Sequence, residues 1–270
     1  MNARRATGLL VITAFVSMAW VAAHAQATQT KPFEPTVGQA GKDVVWVPTP
    51  QALVEKMLDI AKVTPQDYLM DLGSGDGRTV ITAAKRGLNA QGVEYNPDMV
   101  ELSKRNAAKE GVTGKANFVK ADLFETDFSK AQVVTMFLLP SINMRLRPTI
   151  LKMKPGTRIV SNTFTMEDWQ PDQSETIGGD CTSWCTAHLW IVPAQVQGTW
   201  QAGQNALTLK QTFQMVEGTL GSTPIAGGRL RGDELTFTVD KTKYTGRVNG
   251  SSISGTMSGG SSGSWSATKK

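Results

Sequence analysis

Short apolar runs alternate with amphipathic stretches along the chain from about residue 49 to residue 162. The apolar runs have the length of strands buried on both faces: they are 68–72, 90–94, 116–120, 132–138 and 157–162. The stretches between them have apolar residues at helical spacing: they are 49–63, 78–86, 97–109 and 142–153. Thr49 is placed to cap the first helix, with Pro50 at its first position, and Asn96 is placed to cap the third. The alternation predicts an α/β fold in which helices cover a parallel sheet and the strand ends meet along one edge.

From about residue 194 the helical period disappears. Alternating apolar residues at Leu207 and Leu209, and again at Leu235, Phe237 and Val239, are separated by Gly-Asp, Asn-Gly and Gly-Gly turns. About seven short strands of this kind predict a small antiparallel sheet or barrel. The glycine and serine content near the end would also suit a flexible tail. The predicted organisation is therefore a sheet-and-helix domain at 48–193 followed by a small all-β domain at 194–270.

The N-terminus has the pattern of a secretory signal peptide. Arg4 and Arg5 precede the apolar stretch 8–23, and an Ala-His-Ala cleavage site ends at Ala25. An uncleaved membrane anchor is the alternative, and either form would export the rest of the chain. Residues 26–47 are polar and rich in proline and glycine, which predicts an extended arm. The expected location is the bacterial periplasm, with membrane contact only through the signal segment.

Charge and histidine content exclude several classes of function. The formal net charge is +5, and loss of residues 1–25 would remove two arginines and no acid, which lowers it to +3. Because this charge is small and dispersed, we expect no nucleic-acid partner. The same loss would remove His24 and leave His188 as the only histidine, so a multi-histidine metal site is excluded and we expect no metal.

The segment DLGSGDGR at 71–78 places three glycines where a buried strand passes into a helix. Gly73, Gly75 and Gly77 allow unusual backbone angles and close approach of the backbone to a ligand. Their spacing is G-x-G-x-G rather than the G-x-G-x-x-G of dinucleotide-binding turns. Asp71 and Asp76 also add negative charge that a pyrophosphate would oppose. The turn therefore favours a ligand with a cationic end.

Two further acids stand at the ends of the next two predicted strands. Glu94 in GVEYNP can accept hydrogen bonds from both hydroxyls of a ribose, and Asp122 in KADLF can accept one from an adenine amino group. Each acid alone could instead cap the end of its strand. Together with Asp71 they give a carboxylate at three successive strand ends, which predicts a nucleoside site along one edge of the sheet.

The motifs DLGSGDGR, GVEYNP, ADLF and LKMKPGTRIVS closely resemble, in order and spacing, those of class I S-adenosylmethionine-dependent methyltransferases. The resemblance extends from about residue 47 to 169 and onward to 193. VPTP, FLLP and MEDWQPD are similar to a bacterial exported subgroup, and DLGSGDGR is similar to the motif of archaeal and mitochondrial protein-lysine methyltransferases. The resemblance implies a Rossmann-like seven-stranded sheet with an antiparallel last strand near 188–192. It also implies S-adenosyl-L-methionine as cofactor and methyl transfer to an acceptor that is a protein lysine or a small molecule.

The resemblance further implies a role for each residue of the cofactor site. Asp71 and the glycine turn would hold the amino-acid end of the cofactor, Glu94 would hold the ribose, and Asp122 the base. The expected cofactor-binding residues are Asp71, Gly73, Ser74, Gly75, Gly77, Glu94, Tyr95, Asp122 and Leu123. An exported binding protein that keeps this fold without turnover is the alternative function. A nicotinamide-dependent oxidoreductase is disfavoured by the glycine spacing.

On the acceptor side the sequence offers no obvious catalytic residue. Methyl transfer chiefly needs positioning and exclusion of water, because the donor is already activated. Side chains on the loops after the fourth and fifth strands are candidates for lining a substrate pocket, where an aromatic wall would favour a cationic amine. They are Phe137, Pro140, Asn143, Asn162, Phe164, Asp168 and Trp169. Ordinary loop and packing roles are the alternative for the same residues.

Cys181 and Cys185 are the only cysteines, and in an exported protein a disulfide is the expected state if the CTSWC loop closes tightly. A nucleophilic Cys185 assisted by His188 is the alternative, but no oxyanion or base-orienting motif accompanies it. A redox pair normally has two residues between its cysteines rather than three, and a metal site would need another ligand.

Overall fold

A computed structural model of the chain describes residues 32–270. The predicted signal peptide at 1–25 and the first residues of the predicted arm lie outside the described residues. Residues 33–270 form one compact unit. Of the helices within the described range, none has the length and apolar character needed to cross a membrane.

Seven strands form a mixed sheet in the first part of this unit. They are β1 (Tyr68–Leu72), β2 (Asn89–Glu94), β3 (Ala116–Lys120), β4 (Val133–Met136), β5 (Arg158–Asn162), β6 (Gln173–Thr176) and β7 (Thr186–Ile191). Their order across the sheet is β3-β2-β1-β4-β5-β7-β6. The first five strands pair in parallel, whereas β7 runs antiparallel to both β5 and β6. The predicted α/β fold is confirmed, and the carboxyl ends of β1 to β5 meet along one edge.

The helices of the described chain cover this sheet. They are α1 (Gln51–Ile60), α2 (Arg78–Lys85), α3 (Pro97–Lys109) and α4 (Pro140–Ile150). Asn96 caps α3 as predicted, because its side chain accepts hydrogen bonds from backbone amides of the first turn. The predicted cap at Thr49 is wrong. Pro50 is the cap residue of α1, and the Thr49 hydroxyl accepts a hydrogen bond from the Asn162 side chain instead.

Two apolar clusters lie on opposite faces of the sheet. Leu69, Val133 and Val160 belong to the cluster that α1, α2 and α3 cover, and the neighbouring residues Val134 and Ile159 belong to the cluster that α4 covers. Successive side chains of a strand point to opposite faces, so a strand covered on both sides must be apolar at every position. This double burial explains the unbroken apolar runs in the sequence.

Strands within residues 198–269 form a second, antiparallel sheet. They are β8 (Gly198–Ala202), β9 (Asn205–Thr212), β10 (Met215–Leu220), β11 (Thr223–Pro224), β12 (Ala226–Arg231), β13 (Glu234–Val239), β14 (Thr242–Asn249), β15 (Ser252–Gly259) and β16 (Gly263–Lys269). Because β9 pairs with both β8 and β10, the sheet closes into a barrel filled by side chains such as Trp200, Leu235 and Phe237. The predicted antiparallel β fold is confirmed. It has more strands than expected, and the glycine- and serine-rich end forms β16 rather than a flexible tail.

The barrel packs directly against the segment that follows β5. Phe213 of the barrel stacks on Trp169 with 5.6 Å between ring centroids. The Gln214 side-chain amide donates to the Gln170 carbonyl at 2.8 Å, and Arg229 pairs with the buried carboxylate of Asp172 at 2.7 Å. These contacts combine apolar stacking with a charge pair shielded from water, so they hold residues 169–172 firmly against the barrel.

Candidate functional site

The glycine turn between β1 and α2 forms one wall of a pocket at the carboxyl edge of the sheet. Gly73, Gly75 and Gly77 have φ angles of 78°, 54° and 83°, values that favour glycine. A Cβ added to Gly75 would lie 2.7 Å from Trp46 Nε1, and one added to Gly77 would lie 2.7 Å from a ring carbon of Phe118. Gly75 therefore keeps the pocket wall thin, whereas Gly77 allows α2 to pack against the core.

The backbone amides of this turn already have acceptors within the protein. The amides of Gly73 and Ser74 donate to the Val93 carbonyl at 2.9 and 3.1 Å, and the amide of Gly75 donates to the Glu94 carboxylate at 3.0 Å. A turn that binds a pyrophosphate needs such amides free to face the anion. The hydrogen bonding therefore disfavours a dinucleotide, in agreement with the glycine spacing.

Asp71 is a buried carboxyl group at the end of β1, with 6% of its surface exposed. Thr135 on the neighbouring strand β4 donates its hydroxyl to Asp71 at 2.6 Å. Burial raises the pKa of Asp71 to about 7, and the nearby charges of Asp76 and Glu94 act in the same direction. A cationic group in the pocket would offset both effects, so the site is built to favour positive charge beside Asp71.

Glu94 and Asp122 present further carboxylates at the ends of β2 and β3. The two oxygens of Glu94 accept from the amides of Gly75 at 3.0 Å and Asn96 at 2.9 Å, which fixes the orientation of the group. One oxygen of Asp122 accepts from the Phe124 amide at 2.9 Å. Each carboxylate oxygen can accept a second hydrogen bond, so both groups retain capacity for a ligand.

Residues 39–48 form a strap along the pocket. An isolated bridge pairs Ala40 with Val45. Lys42 forms an ion pair with Asp122, and its ammonium group lies 4.7 Å from the ring centroid of Tyr95. Hydrogen bonding to Asp122 raises the pKa of Lys42, and the same bond lowers the pKa of the Asp122 carboxyl group. Lys42 therefore contacts the two side chains that the resemblance assigns to the adenine.

The structure brings the expected cofactor residues together, with one departure. The pocket is lined by Asp71, Gly73, Ser74, Gly75, Glu94, Tyr95, Asp122 and Leu123. Gly77 is not among the lining residues, because it lies at the start of α2 and packs against Phe118. No pattern in the sequence indicated the strap, whose lining residues include Lys42 and Trp46.

Two of the candidate acceptor residues form an aromatic pair at the next part of the edge. Phe137 follows β4 directly and lines the pocket. Its ring stacks on that of Phe164, with 5.8 Å between centroids and 20° between planes. Because Phe137 belongs to both the pocket and the aromatic pair, the pair continues the pocket beyond the cofactor residues.

Asn143 and Asn162 are fully buried and support this region rather than line an open cavity. Asn143 donates to the backbone carbonyls of Phe164 and Thr165 at 3.3 and 3.2 Å. Asn162 donates to the Thr49 hydroxyl at 3.3 Å. These hydrogen bonds tie the loop after β5 to α4 and to the start of α1, so both amides position backbone.

The remaining candidates lie away from the pocket. Trp169 has none of its surface exposed and packs between Trp190 and Phe213, so the expectation that it lines a substrate pocket is wrong. Pro140 is the first residue of α4. Asp168 forms an ion pair with Arg147, and that pairing lowers the pKa of the Asp168 carboxyl group.

The loop that carries Phe164 has a strained backbone. Thr163 has a φ of 59°, which is unfavourable for a β-branched residue. Its amide donates to the Thr186 carbonyl at 2.7 Å, and its carbonyl accepts from His188 Nε2 at 3.1 Å. Burial lowers the pKa of His188, which favours the neutral imidazole. His188 thus holds the loop in place, a role that the sequence did not reveal.

Cys181 and Cys185 are joined in a disulfide. A nucleophilic Cys185 is therefore ruled out in this state. The loop that the disulfide closes contains Trp184, whose ring contacts Phe137 with 6.1 Å between centroids. Trp184 was not among the residues predicted for the site, although its position inside CTSWC was the available signal.

The pocket fits S-adenosylmethionine on features of this chain alone. Gly75 leaves room for close approach, Asp71 favours a cation, and Glu94 with Asp122 retains acceptors for hydroxyl and amino groups. Ser74 Oγ is buried without a hydrogen-bond partner in the described structure. An unpaired buried hydroxyl is unfavourable, and a polar ligand beside it would remove that penalty.

Comparison with known proteins agrees with this geometry. The family described as "ANTKMT methyltransferase domain" matches residues 71–173. A protein-lysine N-methyltransferase of Saccharolobus islandicus (strain REY15A) is 49% identical over 133 residues, which are 48% of this chain and 83% of that protein. A lysine N-methyltransferase of Homo sapiens, named for its action on ATP synthase, is 33% identical over 177 residues, which are 64% of this chain and 72% of that protein.

A solved structure supports the same assignment. The RNA methyltransferase from Salinibacter ruber, in complex with S-adenosyl-L-homocysteine, is 43% identical with a TM-score of 0.52. The match covers 56% of this chain and 96% of that chain, so it accounts for the sheet-and-helix part and leaves the barrel unmatched. With its acid-lined pocket, its strand order and these relatives, the chain belongs to the class I methyltransferases and uses S-adenosyl-L-methionine as cofactor.

Proposed function

We propose that this protein transfers a methyl group from S-adenosylmethionine to the ε-amino group of a lysine in a protein acceptor. The observation that carries the proposal is the aromatic pair of Phe137 and Phe164 beside the cofactor pocket. Aromatic faces attract an ammonium group and the methylated ammonium that forms from it. Similarity to two lysine N-methyltransferases supports the same acceptor class.

The cofactor supplies an activated methyl group, so the protein's main task is to position the two reactants. Glu94 is held by two backbone amides, and Asp122 by one, so both can orient the nucleoside without moving. Asp71 sits under the same turn and attracts the cationic end. Rigid placement of this kind converts a bimolecular reaction into a nearly unimolecular one.

The aromatic pair suits the nucleophile as well. A lysine amine must lose its proton before it can attack, and apolar surroundings lower the pKa of an amine. Positive charge then develops on the nitrogen during transfer, where the ring faces of Phe137 and Phe164 can stabilise it. The pair therefore favours both the neutral reactant and the charged product without a dedicated general base.

An RNA acceptor is the second candidate, because the Salinibacter ruber relative is described as an RNA methyltransferase. The rim of the pocket carries carboxylates, including Asp43, Asp76 and Asp122. A phosphate backbone near these groups would be repelled, and specific RNA recognition generally needs a basic surface. The charge around the pocket therefore favours the protein acceptor.

We also propose that the chain works outside the cytosol. The pattern of residues 1–25 is that of a signal peptide, and the Cys181–Cys185 disulfide is of a kind that persists in oxidising compartments. Fractionation of the source cells tests this location. Recovery of the full-length chain in the cytosol, with free thiols, would reject it.

A labelling experiment tests the acceptor class. The chain starting at Gln26 is incubated with methyl-labelled S-adenosylmethionine and either cell-envelope protein or total RNA. We expect label in the protein fraction and none with the Glu94→Ala variant, whose cofactor site is damaged. Label confined to RNA, from a preparation that binds S-adenosylhomocysteine normally, would reject the lysine proposal.

A further inference from the structure

Trp184 is an exposed aromatic residue in the loop between β6 and β7. Its side chain is 43% exposed, and its φ of 55° lies in the left-handed region. A bulky residue keeps this conformation only where its surroundings impose it. The disulfide between Cys181 and Cys185, with 5.9 Å between Cα atoms, closes the loop around it.

Hydrogen bonds fix the base of the same loop. The amide of Ile177 donates to the Cys185 carbonyl at 2.9 Å. The hydroxyls of Thr176 and Thr186 lie 2.9 Å apart and share a hydrogen bond across the two strands. Because Trp184 is adjacent to Cys185, it is anchored by the disulfide on one side and by the strand pair below it.

The ring of Trp184 extends the aromatic pair into a cluster of three rings. It contacts Phe137 edge-on, with 6.1 Å between centroids and 61° between planes, while Phe164 stacks on Phe137 from another direction. The three rings come from three separate segments: the end of β4, the loop after β5 and the disulfide loop. Phe137 connects the cluster to the cofactor pocket, and Trp184 is its exposed member.

We infer that Trp184 is a specificity-determining residue that recognises the acceptor lysine, with the disulfide holding its ring beside Phe137 and Phe164. The inference rests on the proposed function and identifies the recognition surface for the same site. An indole offers the strongest cation–π face among the side chains, and a methylated ammonium is attracted to it more than a neutral group of equal shape. An exposed indole would otherwise gain little from being held in an unfavourable backbone conformation.

A binding measurement on the protein saturated with S-adenosylhomocysteine tests the inference. The probe is Nα-acetyl-trimethyllysine methylamide, and its control is the neutral carbon isostere, in which a tert-butyl group replaces the trimethylammonium. We expect the probe to bind more tightly than the isostere. Trp184→Ala should weaken probe binding by about fivefold or more, whereas Trp184→Phe should retain most of it. Equal binding of probe and isostere, or unchanged probe binding in Trp184→Ala, would overturn the inference.

A second variant separates recognition from general damage to the fold. Cys181→Ser/Cys185→Ser removes the disulfide but leaves all three rings, and we expect it to weaken probe binding less than Trp184→Ala does. Affinity for S-adenosylhomocysteine should stay unchanged in both variants, because neither the disulfide nor Trp184 lines the cofactor pocket. If the disulfide variant binds the probe as well as the parent protein does, the disulfide has no positioning role and that part of the inference fails.

The labelling experiment distinguishes failure of this inference from failure of the proposed function. If the parent protein methylates lysine and Trp184→Ala does so with the same kcat/KM, the inference is wrong and the function stands. If the parent protein methylates only RNA, the function itself is wrong. A rise in KM for the protein acceptor in Trp184→Ala, with little change in kcat, is the expected result.

Discussion

The two ends of the ligand-binding edge are built by different means. The cofactor end, formed by Asp71, Gly75, Glu94 and Asp122, uses carboxylates and glycines that lie within a few residues of a strand end. The acceptor end, formed by Phe137, Phe164 and Trp184, uses rings held by a disulfide and by non-glycine residues with positive φ.

This difference reflects what each end must recognise. A cofactor of fixed structure can be matched by backbone geometry and a fixed set of acceptors, which local sequence motifs encode. An acceptor varies from protein to protein, so its site is assembled from separated loops whose side chains can change without disturbing the sheet. Variants at the two ends should therefore have separable effects on cofactor affinity and on acceptor use.

The largest effect on cofactor affinity is expected for Glu94→Ala. Loss of the carboxylate removes a ligand acceptor and leaves the amides of Gly75 and Asn96 without their partner. Affinity for S-adenosylhomocysteine should fall by about 2–3 kcal/mol, measured by calorimetry. Glu101→Ala, on the exposed side of α3, is the matched control and should bind normally. Normal binding by Glu94→Ala as well would place the nucleoside elsewhere.

Gly75→Ala should have the next largest effect. The new Cβ would meet Trp46 Nε1 at 2.7 Å on a backbone with φ of 54°, so the strap and the turn could no longer fit together. We expect a loss of roughly 1–2 kcal/mol in affinity for S-adenosylhomocysteine. Gly111→Ala has a similar φ of 69° but open space around it, and it should leave cofactor affinity unchanged. Equal affinity losses in the two variants would show that the effect does not arise at the pocket.

Asp71 should make cofactor binding depend on pH. Its pKa of about 7 means that the free protein holds a proton on this carboxyl group at pH 6 and has largely lost it at pH 8. Because the ionised form attracts the cationic end, affinity should rise about five- to tenfold from pH 6 to pH 8. Asp71→Asn should bind more weakly and lack this rise. The ratio of the two affinities cancels titration of the ligand's own amine, and a ratio independent of pH would show that Asp71 does not hold the cationic end.

The same shift has a consequence of opposite sign for stability of the ligand-free protein. The folded pKa of Asp71 lies above its unfolded value of about 3.9, so the folded state keeps a proton that the unfolded state loses. This contribution is fully present below pH 4 and is lost as pH rises through about 7. Chemical denaturation of Asp71→Asn should show a smaller loss of stability across pH 5 to 8 than the parent protein shows.

The smallest effect is expected for Lys42→Met. Lys42 pairs with Asp122, the acid assigned to the adenine, so a bound base must compete with it. Removal of the ammonium should tighten binding of S-adenosylhomocysteine by about two- to fivefold, since exposed ion pairs contribute little. Lys104→Met, which removes a surface pair on α3, should have no effect. Weaker binding in Lys42→Met would mean that Lys42 contacts the cofactor instead of competing with it.

Much of the cofactor end could be predicted from the sequence because its constraints are local. Asp71 and the glycines follow β1 directly, and Glu94 ends β2, so strand periodicity alone brings them to one edge. The strap could not be predicted in this way. Residues 39–48 lack a period, and the Lys42–Asp122 pair joins residues that are 80 positions apart.

The acceptor end was harder to predict because its members are defined by long-range packing. Phe164 was identified as a candidate, but Trp169, five residues later, is buried against the barrel through Phe213. Only the docking of the barrel distinguishes the two aromatic residues. Trp184 was missed because its role depends on the disulfide loop reaching Phe137 from the far side of β7.

The chemical identity of the methylated group decides whether the protein is a lysine methyltransferase. Protein labelled by the chain with methyl-labelled S-adenosylmethionine is hydrolysed in acid and the amino acids are separated. We expect the label to be recovered as Nε-methylated lysine, with little formed by Glu94→Ala or Trp184→Ala. Recovery of the label as methylated arginine or histidine, or only in nucleosides from added RNA, would show that the acceptor is not lysine.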